Sequence, residues 1–242
     1  MYVNGKRILI SGGSRGIGKA LCERFSEKGA KVAFIYKSND EAAKEVAAKT
    51  GALALKADIS ISSEALAAVS KAYEYLGGFD VLINNAGVSQ IKLFTDFSDE
   101  DFSKIINTNL SGTFYLSREV AKYMIREQSG RIINVGSMWG KCGASCEVPY
   151  SASKAAVRGM TMALAKELGP SSITVNCIEP GLIATEMNSS LDESTVKELC
   201  ESTPLMRIGT PDDVASLALF LASDSASFIT GQCIGVDGGF AI

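Results

Sequence analysis

The chain has 242 residues, with 24 Lys and Arg against 27 Asp and Glu, a formal charge of −3 and no histidine. The absence of histidine excludes Ser-His-Asp hydrolases, Cys-His proteases and His-ligated zinc enzymes, and we expect no metal site. If the protein is an enzyme, its general acid or base is therefore a Tyr, Lys, Cys, Asp or Glu residue. The acidic charge balance argues against nucleic acid or an anionic membrane as a partner.

Apolar runs of about five or six residues alternate with amphipathic stretches along the chain. Predicted strands cover 6–11, 31–36, 52–57, 79–84, 131–136, 173–178 and 233–236. Predicted helices cover 16–28, 41–50, 62–76, 99–128 with a break near Asn107-Thr108-Asn109, 150–168 and 211–222. This alternation is typical of a parallel sheet with helices on both faces. We predict one doubly wound α/β domain of about seven strands over 1–242, with 179–210 as a mobile substrate loop.

The six cysteines form no CxxC pair, and several lie in apolar runs. We therefore expect free or buried thiols in a reducing compartment, with Cys142 and Cys146 as an alternative redox pair. The first apolar run is too short for a signal peptide, and the longest falls well below the ~20 residues of a membrane span. These features predict a soluble, cytoplasmic protein.

A glycine-rich loop, Ser11-Gly12-Gly13-Ser14-Arg15-Gly16-Ile17-Gly18, follows the first predicted strand. In such a loop Gly12 permits a tight turn, Gly16 lets the backbone approach a pyrophosphate, and Gly18 lets the helix pack closely on the sheet. The N-terminus of the following helix favours phosphate groups. At the first strand–helix junction of a βαβ unit, the loop predicts a dinucleotide site.

The end of the second predicted strand bears on the choice between NAD and NADP. Tyr36-Lys37-Ser38-Asn39 stands where NAD-binding folds commonly carry an acidic residue for the adenosine ribose. With no carboxylate there, Arg15 and Lys37 could pair with a 2′-phosphate, which favours NADP. The alternative is that both are solvated surface charges. Asp40 is expected to cap the next helix instead.

Further motifs stand after other strands. They are Asp58-Ile59, Asn84-Asn85-Ala86-Gly87, Asn109, Ser137, Tyr150-x-x-x-Lys154 and Pro180-Gly181. Together with the glycine loop, this set resembles the short-chain dehydrogenase/reductase family over essentially the whole chain. The tail, with Ile229-Thr230-Gly231-Gln232 and Asp237-Gly238-Gly239, is similar to the 3-oxoacyl-[acyl-carrier-protein] reductase branch.

The resemblance implies a Rossmann-type fold and reduction of a ketone by NADPH. The residues that we assign to the cofactor on this basis are Gly12, Ser14, Arg15, Gly16, Ile17, Gly18, Lys37, Ser38, Asp58, Ile59, Asn85, Ala86, Gly87, Tyr150, Lys154, Pro180, Gly181, Ile183 and Thr185. Asp58, taken alone, could equally be a helix-capping carboxylate. Family members usually form tetramers through helices at about 108–128 and 150–168, so a homotetramer is expected.

Four residues are candidates for catalysis. Tyr150 and Lys154 are four apart on a predicted helix and so share one face. The ammonium is expected to lower the tyrosine pKa from about 10 by roughly two to three units, which makes the phenol a usable acid near neutral pH. Ser137 would polarise the substrate carbonyl. The resemblance implies that Lys154 also holds the nicotinamide ribose and that Asn109 holds a water linking it to solvent.

Two departures from the acyl-carrier-protein reductases bear on the substrate. Arginines that those enzymes present to the carrier protein are replaced by Gln128 and Ser171, and the candidates to substitute for them are Lys122, Arg126 and Lys166. The segment W-G-x-x-G-A-S-C-E-V at 139–148 resembles reductases that act on 5-aminopentanone-modified elongation factor P.

In that segment Glu147 could pair with a substrate ammonium, or it could be a surface or capping carboxylate. The favoured substrate is the modified elongation factor. The alternatives are a 3-oxoacyl carrier protein, another small ketone or alcohol, and a cofactor-binding regulator without activity.

Overall fold

The computed structural model describes residues 3–188 and 192–241. The strands are β1 Arg7–Ser11, β2 Lys31–Tyr36, β3 Leu53–Lys56, β4 Val81–Asn84, β5 Gly130–Val135, β6 Ile173–Pro180 and β7 Cys233–Val236. The helices are α1 Gly16–Glu27, α2 Asp40–Thr50, α3 Ser62–Leu76, α4 Asp99–Ile106, α5 Gly112–Glu127, α6 Trp139–Cys142, α7 Val148–Leu168, α8 Glu193–Glu201 and α9 Pro211–Ala222. Every predicted strand is present, with its ends moved by at most two residues.

The seven strands form one parallel sheet in the order β3-β2-β1-β4-β5-β6-β7. Strand order reverses between β1 and β4, so the chain winds outward in both directions from that point. Such a switch point leaves a crevice at the carboxyl ends of the strands, where ligands bind in open α/β sheets. The doubly wound, Rossmann-type fold predicted from the alternation is confirmed.

Two apolar layers, one on each face of the sheet, hold the helices in place. Phe25 of α1 and Phe34 of β2 are buried in one layer, and Phe79 and Leu116 are buried in the other. Because the central strands have both faces covered, their sequences are almost continuously apolar rather than alternating. This packing makes the carboxyl edge of the sheet a rigid base for the site.

The structure confirms the sequence-based expectation at one irregular segment and differs from it at another. The predicted break in the helical region 99–128 is a π-helical segment, Asn107–Ser111, which separates α4 from α5. The stretch 179–210 begins with the end of β6 and contains α8, and a backbone bridge between Ile183 and Gly209 joins its two arms. It is therefore more ordered than a plain loop, although its residues 189–191 lie outside the described residues.

Candidate active site

The glycine loop between β1 and α1 has the shape of a phosphate cradle. Gly12 has a φ of +71°, and an added Cβ there would lie 2.9 Å from the Cα of Ala86. At Gly18 an added Cβ would lie only 1.9 Å from the carbonyl oxygen of Gly12. No side chain caps the start of α1, and its first turn carries no acidic residue. The free N–H groups and the helix dipole therefore fit the pyrophosphate of a dinucleotide.

The loop after β4 is fastened to the glycine loop across the switch point. The side-chain amide of Asn85 donates to the carbonyl oxygens of Ser11 and Gly12, each at 3.1 Å. The backbone N–H of Ala86 donates to the Ser11 hydroxyl, also at 3.1 Å. Asn85 thus acts by holding the two loops together, a role that its position in the motif did not reveal.

An open groove of about 580 Å³ runs along the N-terminal part of α1, where it meets the segment after β6. The residues that line it are Gly16, Lys19, Ala20, Glu23, Ala184, Thr185, Glu186 and Pro211. A Cβ added at Gly16 would lie 3.3 Å from Cγ2 of Thr185, so the segment 184–186 lies directly against the cradle. The predicted cofactor residue Thr185 is therefore at the site.

Pro180 and Gly181 end β6 at the same edge of the sheet. The carbonyl oxygen of Pro180 accepts a bond from the Met138 N–H at 2.9 Å, and Gly181 N–H donates to Val236 at 3.0 Å. These bonds tie the segment to the loop that carries Ser137. Both predicted cofactor residues are thus held beside the catalytic region by backbone contacts.

Three isoleucines assigned to the cofactor have side chains packed in the apolar layers. Ile59 and Ile183 are buried, and Ile17 packs partly buried against the same layer as α1. Their side chains contribute to the packing of the two layers, and the cofactor contacts assigned to these residues stay a prediction.

At the part of the site expected to hold the adenosine ribose, Lys37 is not free to bind a 2′-phosphate, contrary to the prediction from the sequence. The Lys37 ammonium lies 2.6 Å from a carboxylate oxygen of Asp58, whereas Arg15 and Ser38 are exposed. The hydrogen bond from Lys37 lowers the pKa of Asp58 against the opposing effect of burial.

Asp58 also accepts hydrogen bonds from Ser60, and it caps no helix. The helix cap predicted at Asp40 is provided by Asn39, whose side chain accepts from the Ala42 N–H.

The four catalytic candidates meet at the carboxyl edge of β4 and β5. Ser137 follows β5, Tyr150 and Lys154 lie on α7, and Asn109 lies in the π-helical segment. All four are buried. Pro149 occupies the first turn of α7, where its missing N–H costs nothing. Ser137 lies close enough to the Tyr150 phenol to lower its pKa, so the two side chains are neighbours in the site.

The prediction that the Lys154 ammonium lowers the pKa of Tyr150 is wrong. Burial raises that pKa to about 12, and the negative charge of Glu147 adds to the increase, while the hydrogen bond with Ser137 opposes it. The Lys154 ammonium lies 5.7 Å from the centre of the tyrosine ring. Removing a phenolate from water disfavours its charge more than a lysine at that distance favours it.

Lys154 is held in place by its own backbone partner. Its ammonium donates to the carbonyl oxygen of Val135 at 2.8 Å, and burial lowers its pKa to about 8. A Cβ added at Gly87 would lie 3.4 Å from the Lys154 nitrogen, so the loop after β4 passes directly over it. The lysine is therefore positioned between β5 and the cofactor loops, and its charge is sensitive to mild alkali.

We expect kcat/KM for ketone reduction to fall above about pH 8. This parameter reports the groups of the free enzyme, and Lys154 loses its charge as the pH rises through its pKa of about 8. Tyr150 keeps its proton up to about pH 12, so the acid remains available. Because the chain has no histidine, no histidine step near pH 6.5 can occur. A profile that stays flat to pH 10 would contradict this assignment.

The side chain of Asn109 is fully engaged with protein atoms. Its oxygen accepts from the Val88 N–H at 2.8 Å, and its nitrogen donates to the Val88 carbonyl at 2.9 Å and the Ser153 hydroxyl at 3.0 Å. The asparagine thus fixes the loop after β4 to α7. The role of Asn109 in holding a water remains a prediction.

Glu147 lies at the mouth of the site, just before α7. It is partly buried and accepts a short hydrogen bond from the Ser89 hydroxyl. Burial raises its pKa, and its charge acts on Tyr150. In the described parts of the chain, 3–188 and 192–241, no lysine or arginine forms a salt bridge with it.

Several supporting residues had no signal in the sequence strong enough to single them out. Ser153 connects the carbonyl of Tyr150 to Asn109. Gly140 lets α6 lie against α7, because a Cβ there would be 2.8 Å from the backbone carbon of Lys154. Trp139 packs edge-on against Phe240 at 5.4 Å between ring centres. The sequence analysis singled out the segment at 139–148 for its resemblance, but it did not predict these packing contacts of Trp139 and Gly140.

Comparisons with known proteins agree with this geometry. The family model described as "Enoyl-(Acyl carrier protein) reductase" matches residues 12–241. A 3-oxoacyl-[acyl-carrier-protein] reductase of Chlamydia muridarum is 40% identical, covering 98% of this chain and 97% of the relative. An acetoacetyl-CoA reductase of Shinella zoogloeoides is 41% identical, covering 96% of each chain.

Solved structures give the same result. A short-chain dehydrogenase/reductase of Serratia marcescens superposes with a TM-score of 0.94 at 34% identity, covering 100% of both chains. A 3-ketoacyl-(acyl-carrier-protein) reductase of Brucella melitensis, complexed with NADH, superposes with a TM-score of 0.93 at 33% identity over 99% of both chains.

The fold and the site define an oxidoreductase that uses a nicotinamide cofactor and acts on C=O and CH–OH groups. The chain belongs to the short-chain dehydrogenase/reductase family. No helix among residues 3–188 and 192–241 is long and apolar enough to cross a membrane.

Proposed function

We propose that the chain is an NADPH-dependent ketone reductase whose substrate carries a cationic amine, as does the 5-aminopentanone modification of elongation factor P. The observation that carries this proposal is Glu147, a partly buried carboxylate beside the catalytic tyrosine with no basic partner in the described parts of the chain. An enzyme for a neutral acyl chain gains nothing from such a charge at its entrance.

The electrostatics of the site favour a cation at this position. Burial disfavours the charged form of Glu147, and its charge in turn raises the pKa of Tyr150. An ammonium about 4 Å from the carboxylate would be attracted by roughly 4 kcal/mol at an effective dielectric constant of 20. Binding an amine-bearing ketone would therefore neutralise a charge that opposes the chemistry.

The reduction uses residues that the structure brings together. A nicotinamide cofactor, held by the glycine loop and Lys154, would supply the hydride for the carbonyl carbon. Ser137 donates a hydrogen bond to the carbonyl oxygen and stabilises the charge that develops there. Tyr150 gives its proton to that oxygen, and Lys154 stabilises the phenolate left behind.

We expect Glu147→Gln to reduce kcat/KM about tenfold or more for an amine-bearing ketone, because the charge attraction is lost. Activity on a neutral β-ketoester should stay unchanged or rise. The measurement is NADPH consumption with both ketones. Glu74→Gln, which changes an exposed residue on α3, is the matched control. Equal losses on both ketones would contradict the proposed substrate.

A 3-oxoacyl-[acyl-carrier-protein] is the second candidate substrate. It is favoured by the relatives of that name, which are about 40% identical over nearly the full chain. Against it stand Gln128 and Ser171 at the positions of the expected carrier-binding arginines. A side-by-side assay of the modified elongation factor and a 3-oxoacyl carrier protein distinguishes the two, since we expect the higher kcat/KM on the former.

Cofactor preference is proposed to rest mainly on Arg15, since Lys37 is paired with Asp58. We expect NADPH to bind at least about tenfold tighter than NADH, in line with a charge-assisted hydrogen bond of about 1.5–3 kcal/mol. Arg15→Ala should weaken NADPH binding by that factor and leave NADH binding unchanged. Lys28→Ala, at the far end of α1, is the control. Comparable affinities of the unmodified protein for the two cofactors in a fluorescence titration would overturn the proposal.

We also propose a homotetramer in the cytoplasm. Exposed apolar side chains on α5 and α7, including Phe114, Ile125 and Met162, support association through these helices. All six cysteines are free thiols, which fits a reducing compartment. Light scattering in solution tests the assembly, and a monomer at micromolar concentration would contradict it.

A further inference from the structure

Two cysteines with no part in the reduction face each other on neighbouring strands. Cys177 on β6 is in direct register with Cys233 on β7. Because the strands are parallel, paired residues project to the same face of the sheet. Their sulfur atoms and a carboxylate oxygen of Glu179 all lie within 4.8 Å of one another. The distance between neighbouring strands, about 4.8 Å, is within the Cα separation of about 4.4–6.8 Å found in disulfides.

The charges around the pair do not favour a metal ion. The carboxylate of Glu179 is already bound by the Arg158 guanidinium, with both oxygens at 2.5 Å from Nη1. The positive charge of Lys154 also acts on Cys177. With its carboxylate held by Arg158, Glu179 is a poor ligand for a divalent metal, and Arg158 favours the thiolate form of Cys233.

The two sulfurs differ in access. Cys177 is fully buried, whereas Cys233 is partly exposed and lines a cavity of about 80 Å³ together with Met138, Arg158 and Glu179. A cavity needs only about 10–15 Å³ to hold one water. There is therefore room beside Cys233 for a small polar molecule, while Cys177 can be reached only through its neighbour.

We propose that Cys177 and Cys233 form a modification site for a small hydroperoxide, in which Cys233 is oxidised first and Cys177 then closes a disulfide. The distribution of protons supports this order. The neighbouring Cys177 lowers the pKa of the Cys233 thiol against the effects of burial and Glu179, and Arg158 lowers it further. The pKa of Cys177 is raised by Cys233 and by burial.

The chemistry balances with hydrogen peroxide as the oxidant. The Cys233 thiolate attacks one peroxide oxygen, the O–O bond breaks, and the other oxygen leaves as water after taking up a proton, which gives a sulfenic acid. The Cys177 sulfur then attacks the Cys233 sulfur and expels the hydroxyl, which leaves as a second water with the Cys177 proton. Two thiols and one peroxide thus become one disulfide and two waters.

The test is oxidation of the full chain with hydrogen peroxide, then thiol blocking, digestion and mass spectrometry. We expect a cross-linked peptide pair joining Cys177 and Cys233, two hydrogens lighter than the reduced peptides together and released by dithiothreitol. In Cys177→Ala, dimedone should label Cys233 as a sulfenic acid. Cys200→Ser, which removes another partly exposed thiol on α8, should keep the cross-link.

The cross-link in the unmodified chain is the main measurement, so the proposal does not depend on whether a variant folds. Peroxide treatment that leaves both thiols free, or that oxidises Cys200 faster than Cys233, would overturn it. Zinc retained at one equivalent and protecting both thiols would overturn it in favour of a metal site. None of these measurements requires the substrate proposed above.

Discussion

Tyr150→Phe is expected to lower kcat for ketone reduction by roughly 10²–10⁴-fold, the usual contribution of a positioned general acid. The substitution removes the hydroxyl next to Ser137 and leaves the ring in its buried position. No histidine exists to take over the proton transfer. Steady-state NADPH consumption with a β-ketoester measures the loss.

The control for this experiment separates catalysis from binding and folding. NADPH affinity of Tyr150→Phe should change little, because the glycine loop and Lys154 are untouched. Tyr123→Phe alters a tyrosine that stacks on Tyr73 at 4.4 Å, away from the site, and should retain full activity. Normal turnover by Tyr150→Phe would show that another group supplies the proton.

Gly18→Ala is expected to remove cofactor binding while the sheet still forms. The added Cβ would lie 1.9 Å from the Gly12 carbonyl oxygen and 2.7 Å from the Asn85 amide nitrogen. Neither atom can retreat without breaking the bond that joins the two loops. Overpacking of this kind costs about 1–3 kcal/mol of stability. We expect NADPH affinity to fall by about 100-fold, corresponding to about 2.7 kcal/mol, as measured by fluorescence titration.

Gly159→Ala provides a matched comparison on α7. No atom lies within 4 Å of a Cβ added there, so the same chemical change meets open space. Replacing glycine in a helix is expected to stabilise the protein by up to about 1 kcal/mol. Denaturant unfolding should therefore move in opposite directions for the two variants. Equal cofactor affinity in both would contradict the cradle assigned to Gly18.

Most of the fold could be predicted from local patterns. Strands buried on both faces are continuously apolar, and their helices carry an apolar stripe, so element type and order are visible in β1 to α3. The short helix α6 and the helix α8 were not predicted, because four residues and a polar stretch carry too little periodicity. The position of α6 depends on the close approach of Gly140 to Lys154 on α7.

The positions of the site residues could also be anticipated in part. Parallel strands end at one edge, so motifs after β1, β4 and β5 had to meet there. What each side chain does at that edge was harder to foresee. Lys37 is paired with Asp58, and Asn109 with Val88 and Ser153, through contacts between residues far apart in the chain.

By itself, the sequence determined the class of fold, and it predicted the glycine cradle and the four catalytic candidates from periodicity, short spacing and a family resemblance. Only the tertiary structure decided the electrostatics. Burial raises the pKa of Tyr150 although Lys154 is one helical turn away, and Glu147 meets Ser89 rather than a cation. Desolvation and the pairing of β6 with β7, which joins Cys177 to Cys233, depend on the whole packed chain.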